Sequence, residues 1–187
     1  MAGLAPGATA YSLTARVLHW LTAALVLTMI PAGIVMVNIG SGALQDFLFN
    51  LHRSLGVVLM PVVLVRLAYR LINPPPPLPG DIPLVQQFAA GCVHWALYAL
   101  LIVQPILGWF GTSAFPAPII VFGLFELPPI WPPDRAFSDR IFVVHRAIGY
   151  LIALLIVVHV GAALYHHLVR RDDVLLRIWS AGRTPAG

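Results

Sequence analysis

Four apolar runs, at about residues 16–38, 52–72, 88–110 and 142–169, dominate this 187-residue chain. Each is long enough to cross a hydrocarbon core, which takes about 20 helical residues. Only 10% of the residues are charged and 59% are hydrophobic, whereas soluble domains carry about 25% charged residues. A chain so composed cannot face water on all sides. Inside lipid each backbone polar group must be satisfied within the protein, so runs of this length read as helices. The expected fold class is an all-α membrane protein, a four-transmembrane-helix bundle, with residues 1–187 as one integral membrane domain.

The segments between the runs carry most of the prolines. Pro74–Pro77 cannot continue a helix and should form a stiff extended connector. The stretch from about 111 to 141 contains Pro116, Pro118, Pro128, Pro129, Pro132 and Pro133 around a short apolar segment, Ile119–Phe125. That segment is too short to span, and is expected to lie along the bilayer face, to re-enter it partly, or to cover the bundle as a lid. Pro31 and Gly33 are expected to kink the first helix. The first run follows Arg16 and exceeds a signal-peptide core of about 7–15 residues, so it reads as a retained span.

All eleven basic residues are arginine. With four spans both termini share one side, and that side collects Arg16, Arg66, Arg70, Arg170, Arg171, Arg177 and Arg183. The other side holds Arg53, Arg135, Arg140 and Arg146. The excess of positive charge is expected to keep both termini in the cytoplasm. No basic stripe interleaved with aromatics is present, which excludes nucleic acid as a partner. The single cysteine, Cys92, rules out an intramolecular disulfide and a Cys-x-x-Cys-His attachment motif, so any haem must be held without thioether links.

Two openings are nearly the same: His52-Arg53-Ser54-Leu55-Gly56 and His145-Arg146-Ala147-Ile148-Gly149. Each is expected at the mouth of a span, with an imidazole above a bare patch on one helical face. Topology sorts the histidines by depth. His52 and His145 fall near the outer face, His19 and His159 near the cytoplasmic one. His145 and His159 are fourteen residues apart, close to four turns, so they share a face of one helix and lie about 21 Å apart along it. The residue four positions on is small in all four cases: Ala23, Gly56, Gly149 and Ala163.

Two imidazoles on different helices at each of two levels suit the axial positions of a planar tetrapyrrole. A structural zinc site would want four ligands at one level, and the spans supply no His-Glu-x-x-His motif. The reading is therefore two non-covalent haem b groups between the helices, ligated by His52/His145 on the outer level and His19/His159 on the inner. Arg53 and Arg146 follow the outer ligands, and Arg16 precedes His19 by one turn; arginine recognises carboxylates such as haem propionates through paired donors. Gly56 and Gly149 are expected to make room for the macrocycle, and His94 to contact an inner propionate or a quinone head group. His166 and His167 close the last span, where they read as surface anchors.

The chain resembles the bacterial cytochrome b561 family, which shares its domain with nickel-hydrogenase b-type cytochrome subunits. The resemblance runs from about residue 11 to 179. It is carried by Tyr11-Ser12 before Arg16 and His19-Trp20, by His52-Arg53-x-x-Gly56, Arg66 and Pro74–Pro77. It continues through His94, His145-x-x-x-Gly149-Tyr150, His159 and Ala162-Ala163-Leu164-Tyr165-His166-His167. It implies a di-haem protein of the bacterial inner membrane that moves electrons between a donor and the quinone pool, ubiquinone included. It also implies His19, His52, His145 and His159 as axial ligands. Beyond lipid and quinone, the expected partner is a redox donor, with a protein subunit as one form it could take. Alternatives are a superoxide:quinone oxidoreductase and a haem-carrying anchor of a separate dehydrogenase or hydrogenase. A haem or metal transporter stands last, because the histidines leave the middle of the membrane empty.

Overall fold

The structure, a computed structural model, describes residues 10–77 and 81–179; Arg183 lies outside them. Four long helices run α1 Leu13–Asn38, α2 Ala43–Ile72, α3 Leu84–Ala114 and α4 Arg135–Tyr165. A π-helical turn, His166–Arg170, extends α4, and a short α5, Leu176–Trp179, follows. Between α3 and α4 two strands, β1 Ile119–Val121 and β2 Phe125–Leu127, pair antiparallel. All four long helices are long and apolar enough to cross a membrane. Their outward faces leave residues such as Val85 and Phe88 more than 70% exposed, which only a lipid surround would cover.

The helices extend beyond their apolar runs. α2 begins nine residues before the expected start at 52, and α4 seven before 142. Polar residues interrupt the added turns: Gln45, Asp46 and Asn50 in α2 and Arg135, Asp139 and Arg140 in α4. Hydropathy marks the part of a helix that sits in lipid, while capping marks where the helix itself begins. Asp134 accepts from the Phe137 N–H at 2.9 Å, a typical N-cap, and Arg135 pairs with Asp139 one turn on. As a consequence His52 and His145 stand in the third turn of their helices, and the expectation of a helix mouth is corrected.

α1 packs against α2 and α3 against α4, and α2 joins the two hairpins through α3. The buried core is one layer: Val26 and Met29 from α1, Leu59 and Val63 from α2, Tyr98 and Leu101 from α3, Ile152 from α4. Its position follows from spacing. Val26 is seven residues after His19, Leu59 seven after His52, and Ile152 midway between His145 and His159. Seven residues is close to two turns, so the apolar layer lies on the faces that carry the histidines, between their two levels.

α3 and α4 are in close contact at Gly111, where an added Cβ would come within 2.9 Å of the Phe142 ring. The buried Ser138 hydroxyl donates to the Gly111 carbonyl at 2.9 Å across the same contact. Gly111→Ala should overpack this seam and cost about 1–3 kcal/mol. The expected result is a lower Tm of the detergent-solubilised protein; an unchanged Tm would mean the two helices have slack there.

Of the expected connector 111–141, residues 111–114 belong to α3 and 135–141 to α4; residues 115–134 between them carry the β1–β2 hairpin, which lies over α2. Phe122 and Gly123 both take positive φ, +48° and +74°, as the central pair of a turn that the Leu124 N–H closes on the Val121 carbonyl at 2.9 Å. The fully buried Ser54 fastens the lid to α2, its Oγ donating to the Ile120 carbonyl and accepting from the Phe122 N–H at 3.0 Å. Arg53 donates to the Pro118 carbonyl at 2.9 Å, and Trp109 to that of Pro128.

The opposite end is closed by the termini. The Tyr11 N–H donates to the Arg177 carbonyl at 3.0 Å. Arg16 donates to the carbonyls of Ile178 and Trp179, Trp20 also to Ile178, and the Trp20 and Trp179 rings meet edge to face at 5.1 Å. The π-turn ends at Arg171 in the left-handed region, φ +57°. That bend brings Asp172 back to accept from His166 Nδ1 at 2.6 Å and from Arg170 Nε at 3.2 Å.

Burial alone would raise the Asp172 carboxyl, but hydrogen bonds from His166, the Val174 N–H and Arg170 outweigh it and hold the group below its ordinary value. A carboxylate with a lowered folded pKa adds stability above its unfolded value, about 3.9, and loses it as pH falls through the folded one. Hydrogen exchange over residues 166–179 should therefore be slow near neutrality and quicken only below the ordinary carboxylate range. Protection already lost at pH values above the ordinary carboxylate range, or protection that persists once the carboxylate is fully protonated, would contradict the contact.

Two histidine levels as candidate haem sites

At the end away from the termini, His52 and His145 bring their ring centroids to 6.1 Å. At the termini end, His19 and His159 stand at 6.2 Å. Metal–imidazole bonds of about 2 Å, with the ring centre about 1 Å behind each nitrogen, place two axial rings about 6 Å apart. Both pairs match that spacing. They join α2 to α4 at one level and α1 to α4 at the other, so α4 serves both.

The outer level opens into a cavity of about 710 Å³, within the range of ligand pockets. It is lined by Gly33, His52, Gly56, Gly108, His145 and Gly149 among others. An added Cβ at Gly33 would lie 3.1 Å from the His52 ring, and one at Gly108 3.4 Å from that of His145. Each imidazole therefore backs onto a glycine of the neighbouring helix. His52 Nδ1 lies 3.1 Å from the Met29 carbonyl; the ring donates there, which leaves Nε2 as the metal-facing nitrogen. Gln104 donates to the His145 carbonyl at 2.8 Å, over Gly149, where a Cβ would crowd its amide at 3.3 Å. His145 Nδ1, on the side of the ring toward Gly108, is buried without a partner among the described residues.

The inner level is more crowded. His94 from α3 approaches the His159 ring to 5.2 Å. Arg66 Nη2 donates to His19 Nδ1 at 2.9 Å. The donor set is imidazole and guanidinium, and among the described residues no group of three or more His, Cys, Asp or Glu could hold a bare metal ion. Two imidazoles per level with arginine nearby suit a haem better than a naked cation.

Of the ten residues expected at the site, nine lie at these two levels. Arg53 and Arg146 line the outer cavity with Gly56 and Gly149, and His94 joins the inner rings. Arg16 is instead engaged by the backbone of the C-terminal segment. Gly33, Gly108, Gln104 and the role of Arg66 were not read from the sequence as site features. A signal was present: Gly33 and Gly108 follow the helix-interior prolines Pro31 and Pro105 by two and three residues, a pairing more specific than a kink requires.

Residues 10–181 match the family described as prokaryotic cytochrome b561. Among the relatives, cytochrome b561 homolog 2 of Escherichia coli (strain K12) is 34% identical over 173 residues, 90% of each chain. Probable superoxide oxidase CybB of Yersinia pestis is 28% identical, over 86% of this chain and 90% of its own. Cytochrome b561 homolog 1 of Escherichia coli (strain K12) is 27% identical, over 90% and 96%. A match over nearly the whole chain, with four membrane-length helices, settles the class: the chain belongs to the prokaryotic cytochrome b561 family, and is a multi-pass bacterial membrane b-type cytochrome.

Proposed function

We propose that the protein is a di-haem electron carrier, holding one haem b between His52 and His145 and a second between His19 and His159. It exchanges electrons with a donor at the outer face and with a quinone of the ubiquinone type. The observation that carries this is the two imidazole pairs at two depths, 6.1 and 6.2 Å between centroids, with a buried apolar layer between them. Haem supplies one-electron redox chemistry. Held by an imidazole from each of two helices, a haem would supply one-electron transfer in preference to oxygen binding. The arginine distribution supports cytoplasmic termini in the inner membrane.

The protein in proteoliposomes tests this. Haems reduced from the outer side should be reoxidised by a soluble ubiquinone analogue; haems that stay reduced would contradict the quinone assignment. His94→Phe should leave haem content unchanged, because His94 approaches His159 without belonging to the 6.2 Å pair; loss of haem would make it the ligand in place of His19.

Superoxide is the second reading for the donor. It is motivated by the Yersinia pestis relative's name and by Arg53 and Arg146 at the outer cavity, where Asp46 and Asp139 also stand. Superoxide delivered by rapid mixing should reduce the haems faster than its spontaneous dismutation removes it. No reduction would leave a membrane-anchored or soluble protein donor, which co-purification would identify.

A further inference from the structure

The two faces of the β1–β2 hairpin have different surroundings. Ile119 and Leu127, a cross-strand pair, line the cavity beside His52 and His145. On the other side Ile120 is 45% exposed, and around the turn Phe122, Leu124 and Phe125 are 51%, 80% and 54% exposed. Between Phe115 and Pro133 the chain carries a single charge, Glu126. Strand edges that face water are guarded by charged side chains, and a lone two-stranded hairpin is marginal there. This one presents bare phenylalanine and leucine.

The position of the hairpin decides what covers these residues. Gly108 stands beside His145, and Ala114 lies six residues further along α3, about 9 Å beyond that level. The chain then turns back. The Phe122 N–H reaches Ser54 Oγ at 3.0 Å, and Ser54 is two residues past His52, inside the apolar run of α2 and beyond Gln45, Asp46 and Asn50. Pro61 and Val65 follow Ser54 by seven and eleven residues, close to two and three turns, so they share its face of α2. Both are exposed, and in a bilayer that face meets lipid. The turn of the hairpin therefore continues a surface that is already lipid-facing. A two-stranded sheet has two open edges, whose backbone groups hydrocarbon would leave unpaired. That sets the depth at the headgroup boundary, with only side chains reaching the acyl chains.

We propose that the hairpin is an interfacial wedge whose partner is lipid. Phe122, Leu124 and Phe125 insert into the leaflet on the side away from the termini, and Glu126, across from Ile120, stays among the headgroups. The opposite face, through Ile119 and Leu127, closes the outer cavity against that lipid.

Nitroxide labels on the full-length protein in proteoliposomes test this. Cys92, which is exposed, is first replaced by serine. Single cysteines then enter as Leu124→Cys, as Val65→Cys for a lipid reference, and as Gly40→Cys for an aqueous one. Gly40 lies between α1 and α2 on the same side of the membrane, with nothing within 4 Å of an added Cβ. Oxygen concentrates in hydrocarbon and a water-soluble nickel chelate stays outside it, so the ratio of their collision rates reads depth. The Leu124→Cys label should favour oxygen several-fold more than the Gly40→Cys label does, as the Val65→Cys label should; Phe125→Cys, a second position on the wedge, should rank with Leu124→Cys. Labels on the hairpin as open to nickel as that at Gly40→Cys would put it in water and overturn the proposal. Shielding from both reagents would mean that a protein partner covers the hairpin, and spin–spin broadening between hairpin labels would mean a second copy does. Either result also overturns it.

Discussion

Replacing His145 by alanine is expected to lower the haem content of the purified protein by about half, with the inner site still loaded. His145 is the α4 member of the outer pair, 6.1 Å from His52, and no other histidine ring approaches these two among the described residues. Its loss leaves the outer iron one axial ligand and opens a void beside Gly108. The inner pair stands fourteen residues further along α4, beyond the apolar layer that includes Ile152, and should be undisturbed. His159→Ala should do the reverse. Absorbance of the reduced protein, with haem quantified per chain, reads both results. If either variant lost both haems while remaining folded, the two sites would not be independent.

Gly33→Val is expected to remove the outer haem without touching either ligand. Even a Cβ at this position would lie 3.1 Å from His52 Cε1, tighter than ordinary packing, and the two methyl groups of valine reach further. His52 cannot simply retreat, because its Nδ1 is tied to the Met29 carbonyl. Overpacking of this kind costs about 1–3 kcal/mol, enough to weaken haem retention by about tenfold or more. Gly161→Val is the control: nothing stands within 4 Å of a Cβ there, and valine is at home in a membrane helix. Equal haem loss in both variants would point to a general effect of bulk in the bundle and not to the seat of His52.

Much of this site could be read from residues alone, for a physical reason. In a membrane helix a histidine is costly, so each one carries information, and the 3.6-residue period converts spacing into facing. His145 and His159 on one face, with Gly149 and Ala163 one turn beyond, followed from that arithmetic. Helix ends were less legible. Polar residues in the opening turns, such as Asp46 in α2 and Arg135 in α4, stop a hydropathy run while the backbone hydrogen bonding continues. What neighbouring helices contribute was least legible. Gly33 and Gly108 serve the imidazoles of α2 and α4, and Arg66 reaches His19 across forty-seven residues. Nothing local to a sequence window states which helix lies alongside which. The lid is a similar case: Gly123 announces a turn, but Ser54 as its fastening depends on where the connector lands.

Haem per polypeptide, measured by pyridine haemochrome on the wild type and on the His52→Ala/His159→Ala double variant, tests the central claim most directly. Two imidazole pairs sharing α4 predict about two haems in the wild type and none in the double variant. A single haem in the wild type, or haem persisting when one member of each pair is gone, would contradict it.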